Sequence, residues 1–205
     1  MRAPAYFVSG IGTEVGKTVI SSILVKSWQA DYWKPVQCGD LDYTDSHKVA
    51  KWAEATPARI HPERYRLQMP ASPHLAAERE GVNIQISDFE LPETDKTLIV
   101  EGAGGLLVPL NAQHTMLDLI ARLNIPVLLV SRHYLGSINH TLMSIEALRM
   151  RDIPLAGLIY NGDDEGKDTV EIVKKLTGIA PVLEVGDLSL ENFSFLLPKA
   201  AEMKI

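Results

Sequence analysis

The stretch Gly10-Ile11-Gly12-Thr13-Glu14-Val15-Gly16-Lys17-Thr18 constrains this chain more than any other. An apolar run, Tyr6-Phe7-Val8, precedes it, and Val19-Ile20-Ser21-Ser22-Ile23-Leu24-Val25 follows. Strand, glycine loop and helix in that order form a cradle for phosphate. Glycines let the backbone curl until several N–H groups face inward. The helix adds its own free N–H groups and the positive end of its dipole. Lys17 brings a full charge to the β/γ-phosphates, and the Thr18 hydroxyl is placed to ligate Mg2+. Five residues, where the standard pattern has four, separate Gly10 from Gly16.

The rest of the chain alternates strand and helix. Strands are expected at 6–9, 32–36, 97–100, 126–131, 155–161 and 182–185. Helices are expected at 18–28, 45–55, 72–79, 116–123, 137–150 and 167–176, with one more in the tail after residue 188. Ser72-Pro73 starts a helix with proline at its first position, and Gly81 ends it. Residues 56–73 read as a long proline-rich loop, a kind that is usually functional. Such alternation predicts an α/β fold: a single-domain, P-loop NTPase-like parallel sheet with helices on both faces, spanning 1–205. Ligands then bind beyond the carboxyl ends of the strands.

Composition narrows the function classes. A chain of 205 residues is enough for one sizeable α/β domain and short for two. Its net charge of −6 argues against general nucleic-acid or anionic-membrane binding. Cys38 has no partner for an intrachain disulfide, so a reducing cytoplasm is expected. No apolar run approaches the ~20 residues that span a bilayer, and the first strand leaves no room for a signal peptide.

The polar residues that stand out all lie at strand ends, which a parallel sheet gathers along one edge. Lys17 and Thr18 follow the first strand, Lys34 and Cys38 end the second, Glu101 follows Leu98-Ile99-Val100, and Asn161 follows Leu158-Ile159-Tyr160. Glu101 reads as the acid facing Thr18 across Mg2+, an ion that takes oxygen ligands and keeps several waters. Asp45 reads either as a further ligand or as a helix N-cap. Lys34, at the end of an apolar strand, is costly to bury unpaired; it is a snorkelling surface lysine or part of the site, and its company favours the site. Cys38 has no histidine nearby to activate it and reads as a pocket wall. Ser137, in Leu135-Gly136-Ser137-Ile138-Asn139-His140, reads as an N-cap, and the amides around it suit a carboxylate or phosphate. The six histidines show no metal spacing.

Six ordered motifs then coincide: Gly-x-x-Thr-Glu-Val-Gly-Lys-Thr at 10–18, Lys-Pro-Val-Gln-x-Gly at 34–39, Ser-Pro-His at 72–74, Val-Glu-Gly-Ala-Gly-Gly at 100–105, Leu-Gly-x-Ile-Asn-His at 135–140 and Ala-Gly-x-Ile-x-Asn at 156–161. Over about residues 5 to 162 the chain resembles the dethiobiotin synthetases. The resemblance implies a cyclo-ligase that makes dethiobiotin, ADP and phosphate from 7,8-diaminononanoate, CO2 and ATP with Mg2+. The route it implies runs through a carbamate and a carbamic-phosphoric anhydride. It also implies a homodimer with the active site at the subunit interface. Carried over by position, Lys34 is the catalytic lysine, and Thr13 and Lys17 meet the carbamate or phosphates. Glu14, Val15, Gly16, Lys17, Thr18 and Val19 wrap the ATP phosphates, and Glu101, Gly102, Ala103 and Gly104 line the nucleotide site. Thr18, Asp45 and Glu101 hold Mg2+. Asn161 reads adenine, with Gly186, Asp187 and Leu188 beside it. Gly136, Ser137, Ile138 and Asn139 of the other subunit take the substrate carboxylate. Cys38 stands where the family usually has a small hydroxyl residue, and a thiol is a weaker hydrogen-bond partner.

Two rivals share the phosphate loop. An amide-forming synthase of the cobyrinic acid diamide type would need a separate glutamine-hydrolysing domain, for which the chain has no room. A partitioning or division-positioning ATPase would carry an extra lysine early in the loop, where this chain has Ile11, Gly12 and Thr13.

Overall fold

The computed structural model describes residues 3–162, 167–186, 193–203 and 205. Asp187 and Leu188 lie outside them. The chain runs β1 (Ala5–Gly10), α1 (Lys17–Ser27), β2 (Asp31–Trp33), β3 (Val36–Cys38), α2 (Asp45–Trp52), β4 (Ile60–His61), β5 (Tyr65–Leu67) and α3 (Pro73–Glu80). It continues through β6 (Leu98–Gly105), α4 (Met116–Leu123), β7 (Val127–Arg132), α5 (Ser137–Arg149), β8 (Leu155–Asn161), α6 (Lys167–Thr177), β9 (Leu183–Val185) and α7 (Phe193–Ala201).

Among the described residues, seven strands form one sheet in the order β4-β2-β6-β1-β7-β8-β9, and every neighbouring pair is parallel. β1 sits in the middle, between β6 and β7. The chain leaves β1 toward β2 on one side and later crosses from β6 to β7 on the other. Such a reversal opens a crevice beyond the carboxyl ends of the strands. The central strands are apolar on both faces, as a sheet covered by helices requires: Phe7, Val8, Ile99, Val100 and Val127 through Val130 are fully buried. No helix among the described residues is long and apolar enough to cross a membrane.

Five local departures from the sequence-based expectations bear on the site and its surroundings. The strand expected at 32–36 is two strands: β2 stops at Trp33, and β3 pairs with β5 in a separate two-stranded sheet. Pro35 lies at the break, where its missing N–H cannot continue a ladder, and its carbonyl accepts from the Arg64 and Tyr65 amides at 3.0 and 3.1 Å. β6 runs on through Gly105, so Glu101 lies within the strand. Thr44, not Asp45, caps α2. Its hydroxyl accepts from the His47 amide at 3.3 Å, while the His47 ring accepts from the Thr44 amide at 3.0 Å. Gly136, in the left-handed region at φ 102°, precedes α5, so Ser137 is the first helical residue and not its cap. The expected 56–73 loop contains the two short strands β4 and β5 and a 3-10 turn at Pro57–Arg59. Strands of two and three residues are too short to leave a period-2 signal.

Candidate active site

The loop between β1 and α1 is held from both sides. Glu14 and Gly16 take left-handed conformations, with φ of 59° and 92°. Arg132, at the end of β7, donates to the Glu14 carbonyl at 3.1 Å, and Asn161, at the end of β8, donates to the Val15 carbonyl at 3.0 Å. Two strand ends thus fix the path of the loop. The Lys17 ammonium folds back onto the Gly12 carbonyl at 3.1 Å. Burial, with Lys34 adding to it against the pull of Glu101 and Asp45, brings the Lys17 pKa down to about 8. This lysine is poised to gain from an anion.

Opposite the loop, the side chains of Lys34, Asp45 and Glu101 meet. Lys34 is buried, with its ammonium 2.7 Å from Asp45 Oδ2 and 3.2 Å from Glu101 Oε1. Burial opposes its charge, yet the two carboxylates outweigh it and raise the Lys34 pKa above the ordinary lysine value. Burial likewise works against the Asp45 charge, and Lys34 with Lys48 more than offsets it, so the Asp45 pKa is lowered. Lys48 holds the other Asp45 oxygen at 3.0 Å. Thr18 donates to Glu101 Oε1 at 2.9 Å, and Tyr32 donates to Glu101 Oε2 at 3.0 Å. With Thr44 as the helix cap, Asp45 is free for the site.

These groups border one cavity of about 850 Å³. Thr13, Glu14, Gly16, Lys17, Thr18, Val19, Lys34, Cys38, Asp45, Glu101, Ala103 and Gly104 all line it. Val15 and Gly102 do not. Val15 is buried in the core, and a Cβ on Gly102 would stand 2.7 Å from the Phe7 ring, so both support the wall from behind. Asn161 acts on the loop through Val15. Gly186 is exposed, and neither it nor Gly136–Asn139 lines this cavity. The Cys38 thiol is pushed up to about 11, chiefly by burial, so it stays protonated at neutral pH and is no nucleophile. Sequence reasoning missed Lys48, Trp52, Pro70 and Ala71 in the lining, and Tyr32 behind it. A buried tyrosine needs a partner for its hydroxyl, and that rule would have flagged Tyr32.

The oxygen set fits a hard cation. Thr18, Asp45 and Glu101 offer only oxygens, the choice of Mg2+ over softer metals. Among the described residues no group of three or more His, Cys, Asp or Glu side chains could hold an ion unaided. Mg2+ usually binds through one or two carboxylates and completes its shell with phosphate oxygens and water.

A second, apolar cavity of about 390 Å³ adjoins the loop, lined by Ile11, Leu106, Leu107, Val108 and Met143 among others, and it shares Thr13 with the first. Leu107, Leu135, Ile138 and Met143 are exposed around it and along the start of α5.

Residues 4–190 match a family model described as an AAA domain. The ATP-dependent dethiobiotin synthetase BioD of Christiangramia forsetii is 53% identical over 172 residues, which cover 84% of this chain and 82% of that protein. The protein of the same name from Paramagnetospirillum magneticum is 45% identical over 182 residues, covering 89% and 87%. Among solved structures, a ParA family ATPase from Chlorobium tepidum matches with a TM-score of 0.56 at 12% identity, covering 98% of this chain and 90% of that one. The septum site-determining protein MinD of Pyrococcus horikoshii, complexed with Mg-ADP, matches with a TM-score of 0.54 at 13% identity, covering 98% and 86%. At such identities the likeness to solved structures speaks for the fold alone.

Proposed function

The chain belongs to the ATP-dependent dethiobiotin synthetase family, and we propose on that premise how its strand-edge cavity works. The enzyme is a cyclo-ligase that forms dethiobiotin at the expense of ATP. In our reading one amine of 7,8-diaminononanoate takes up CO2 as a carbamate. The carbamate oxygen attacks the γ-phosphorus of ATP, giving a carbamic-phosphoric anhydride and ADP. The second amine then attacks the carbonyl carbon, and phosphate leaves as the cyclic urea closes.

Phosphoryl transfer needs positioning and charge neutralisation more than covalent help. Lys17 and the loop amides hold the phosphates. Lys34 neutralises the carbamate and the phosphoryl group passing to it, and Asp45 and Glu101 aim its ammonium. Thr13, in the wall of both cavities, sits where loop and carbamate meet. Thr18, Asp45 and Glu101 would hold Mg2+, which when bound offsets phosphate charge. Asn161 donates its amide N–H to Val15, leaving its carbonyl oxygen to accept from the exocyclic amine of adenine; Gly186 would lie beside the base. Cys38 serves as wall rather than as a strong donor. The observation that carries the reading is Lys34 bridging Asp45 and Glu101 in the same cavity as the phosphate loop.

The homodimer belongs to this reading. The amides at Gly136, Ser137, Ile138 and Asn139 lie outside the cavity of their own chain, and the exposed apolar side chains beside them suit burial against a second copy. A partner would then bring its α5 start to the substrate carboxylate. Light scattering is expected to give a dimer, and a persistent 22.6 kDa monomer in active enzyme would contradict it. The cytoplasm, where ATP is supplied, is the compartment this reading calls for.

Two measurements follow. Phosphate release is expected only when diaminononanoate and bicarbonate are both present; release driven instead by DNA or lipid would overturn the reading. Lys17 supplies the second. Its pKa near 8 leaves the free enzyme about half protonated there at pH 8, and the phosphates restore the proton, because a nearby opposite charge favours the charged form. Mg·ATP binding should take up to about half a proton at pH 8 and almost none at pH 6.5. Calorimetry in two buffers of different ionisation heat reads this directly, and equal heats at pH 8 would count against it.

A further inference from the structure

Tyr32 lies inside the sheet, not in the cavity. The β2–β6 register pairs Tyr32 with Ile99. Side chains alternate along a strand, so Tyr32, Ile99 and Glu101 share one face. Trp33, on the other face, donates instead to the Pro62 carbonyl at 3.1 Å. Tyr32 therefore reaches along the face to Glu101, two residues beyond its own partner. Both side chains are buried, and the hydroxyl donates to Glu101 Oε2 at 3.0 Å. The carboxylate is divided between two tasks. Oε2 faces the tyrosine, and Oε1 faces Thr18 at 2.9 Å and Lys34 at 3.2 Å.

We propose that Tyr32 is a positioning residue: by holding Oε2 it turns Oε1 of Glu101 toward Thr18 and Lys34. A carboxylate inside a protein has no water to replace a lost donor. Without the tyrosine hydroxyl, Glu101 would turn to recruit Lys34 or Thr18 with both oxygens. A hydroxyl has one proton and two lone pairs. While Thr18 gives its proton to a fixed Oε1, its lone pairs stay available to a cation. Burial and the Glu101 charge push the Tyr32 pKa well up, so the hydroxyl remains a donor at every working pH. The order of contacts is Tyr32 to Glu101 to Thr18, and the inference rests on the reading of Thr18 and Glu101 as cation ligands.

The test is the Mg2+ concentration that half-saturates binding of a fluorescent ATP analogue, a readout separate from turnover. Outer-shell partners of metal ligands are worth about 10–100-fold in metal affinity, so Tyr32→Phe is expected to raise the Mg2+ midpoint about tenfold while analogue binding in EDTA is unchanged. A merely structural lesion would weaken both. Tyr32→Met, which fills the space with a flexible apolar side chain, is the second variant and should show the same shift; melting curves check that each is folded. Glu101→Gln is run beside them. A shifted midpoint in Glu101→Gln with a normal one in both Tyr32 variants overturns the positioning role alone. Normal midpoints in all three overturn the ligand reading with it.

Discussion

Lys34→Ala is expected to lower turnover by about 10²–10³-fold, the scale for losing one donor aimed at charge in the transition state. The argument is geometric. The ammonium is buried between Asp45 and Glu101, at 2.7 and 3.2 Å, and it is the cation on the β2 side of the cavity wall, across from Lys17. Alanine removes the charge that meets the carbamate and leaves two carboxylates without their shared partner. Lys48 still holds Asp45, and Thr18 and Tyr32 still hold Glu101, so the wall should survive. ATP binding, which rests on Lys17 and the loop, should change far less than turnover. Rapid-quench turnover alongside nucleotide affinity separates the two, and near-normal turnover would remove Lys34 from the mechanism.

Gly10→Ala and Gly12→Ala should part company, although both glycines belong to the loop motif. A Cβ on Gly10 would stand 2.6 Å from the Gly12 carbonyl oxygen and 2.6 Å from Val15 Cγ2. That carbonyl is backbone, and it is the one that receives Lys17. Relief requires the loop to shift by several tenths of an ångström or more, and misplacement approaching 1 Å costs on the order of 10²-fold in a positioned site. Turnover of Gly10→Ala should fall by that order, with ATP bound more weakly as well, in a protein that remains folded. A Cβ on Gly12 meets nothing within 4 Å, and its variant should bind ATP within a few-fold of normal, as substitutions away from strained or packed positions do. Equal losses in the two variants would contradict the loop geometry.

Much of this site is legible in the sequence, because parallel strands bring their carboxyl ends to one edge. Lys17, Thr18, Lys34 and Glu101 were found on that logic, and the cavity gathers all four. Asp45 was ambiguous between cap and ligand, because an acid at a helix start does either. Its neighbour Thr44, with His47 closing the reciprocal pair, takes the capping role, and that pairing lay in the sequence unread. The helix start at Ser137 was placed correctly, but its cap was not: Gly136 takes that position in the left-handed region, because a left-handed glycine can precede a helix as well as follow one. A tyrosine in an apolar strand calls for a hydroxyl partner, but which partner Tyr32 has was out of reach. Its partner is 69 residues away, and only the register of β2 against β6 says that the two share a face. The short strands β4 and β5 were hidden among prolines, where no periodicity can build up. Strands β1, β6, β7 and β8 were legible because each is six to eight residues long and carries an apolar, partly β-branched run.

The most direct test of the central claim joins both halves of the chemistry in one tube. Enzyme, Mg·ATP, 7,8-diaminononanoate and carbon-labelled bicarbonate are incubated, and acid-stable label in the organic product is counted against ADP formed. Closure of the urea through a phosphorylated carbamate predicts one labelled carbon fixed in dethiobiotin for each ADP released. ADP formed without acid-stable label in the product would contradict it.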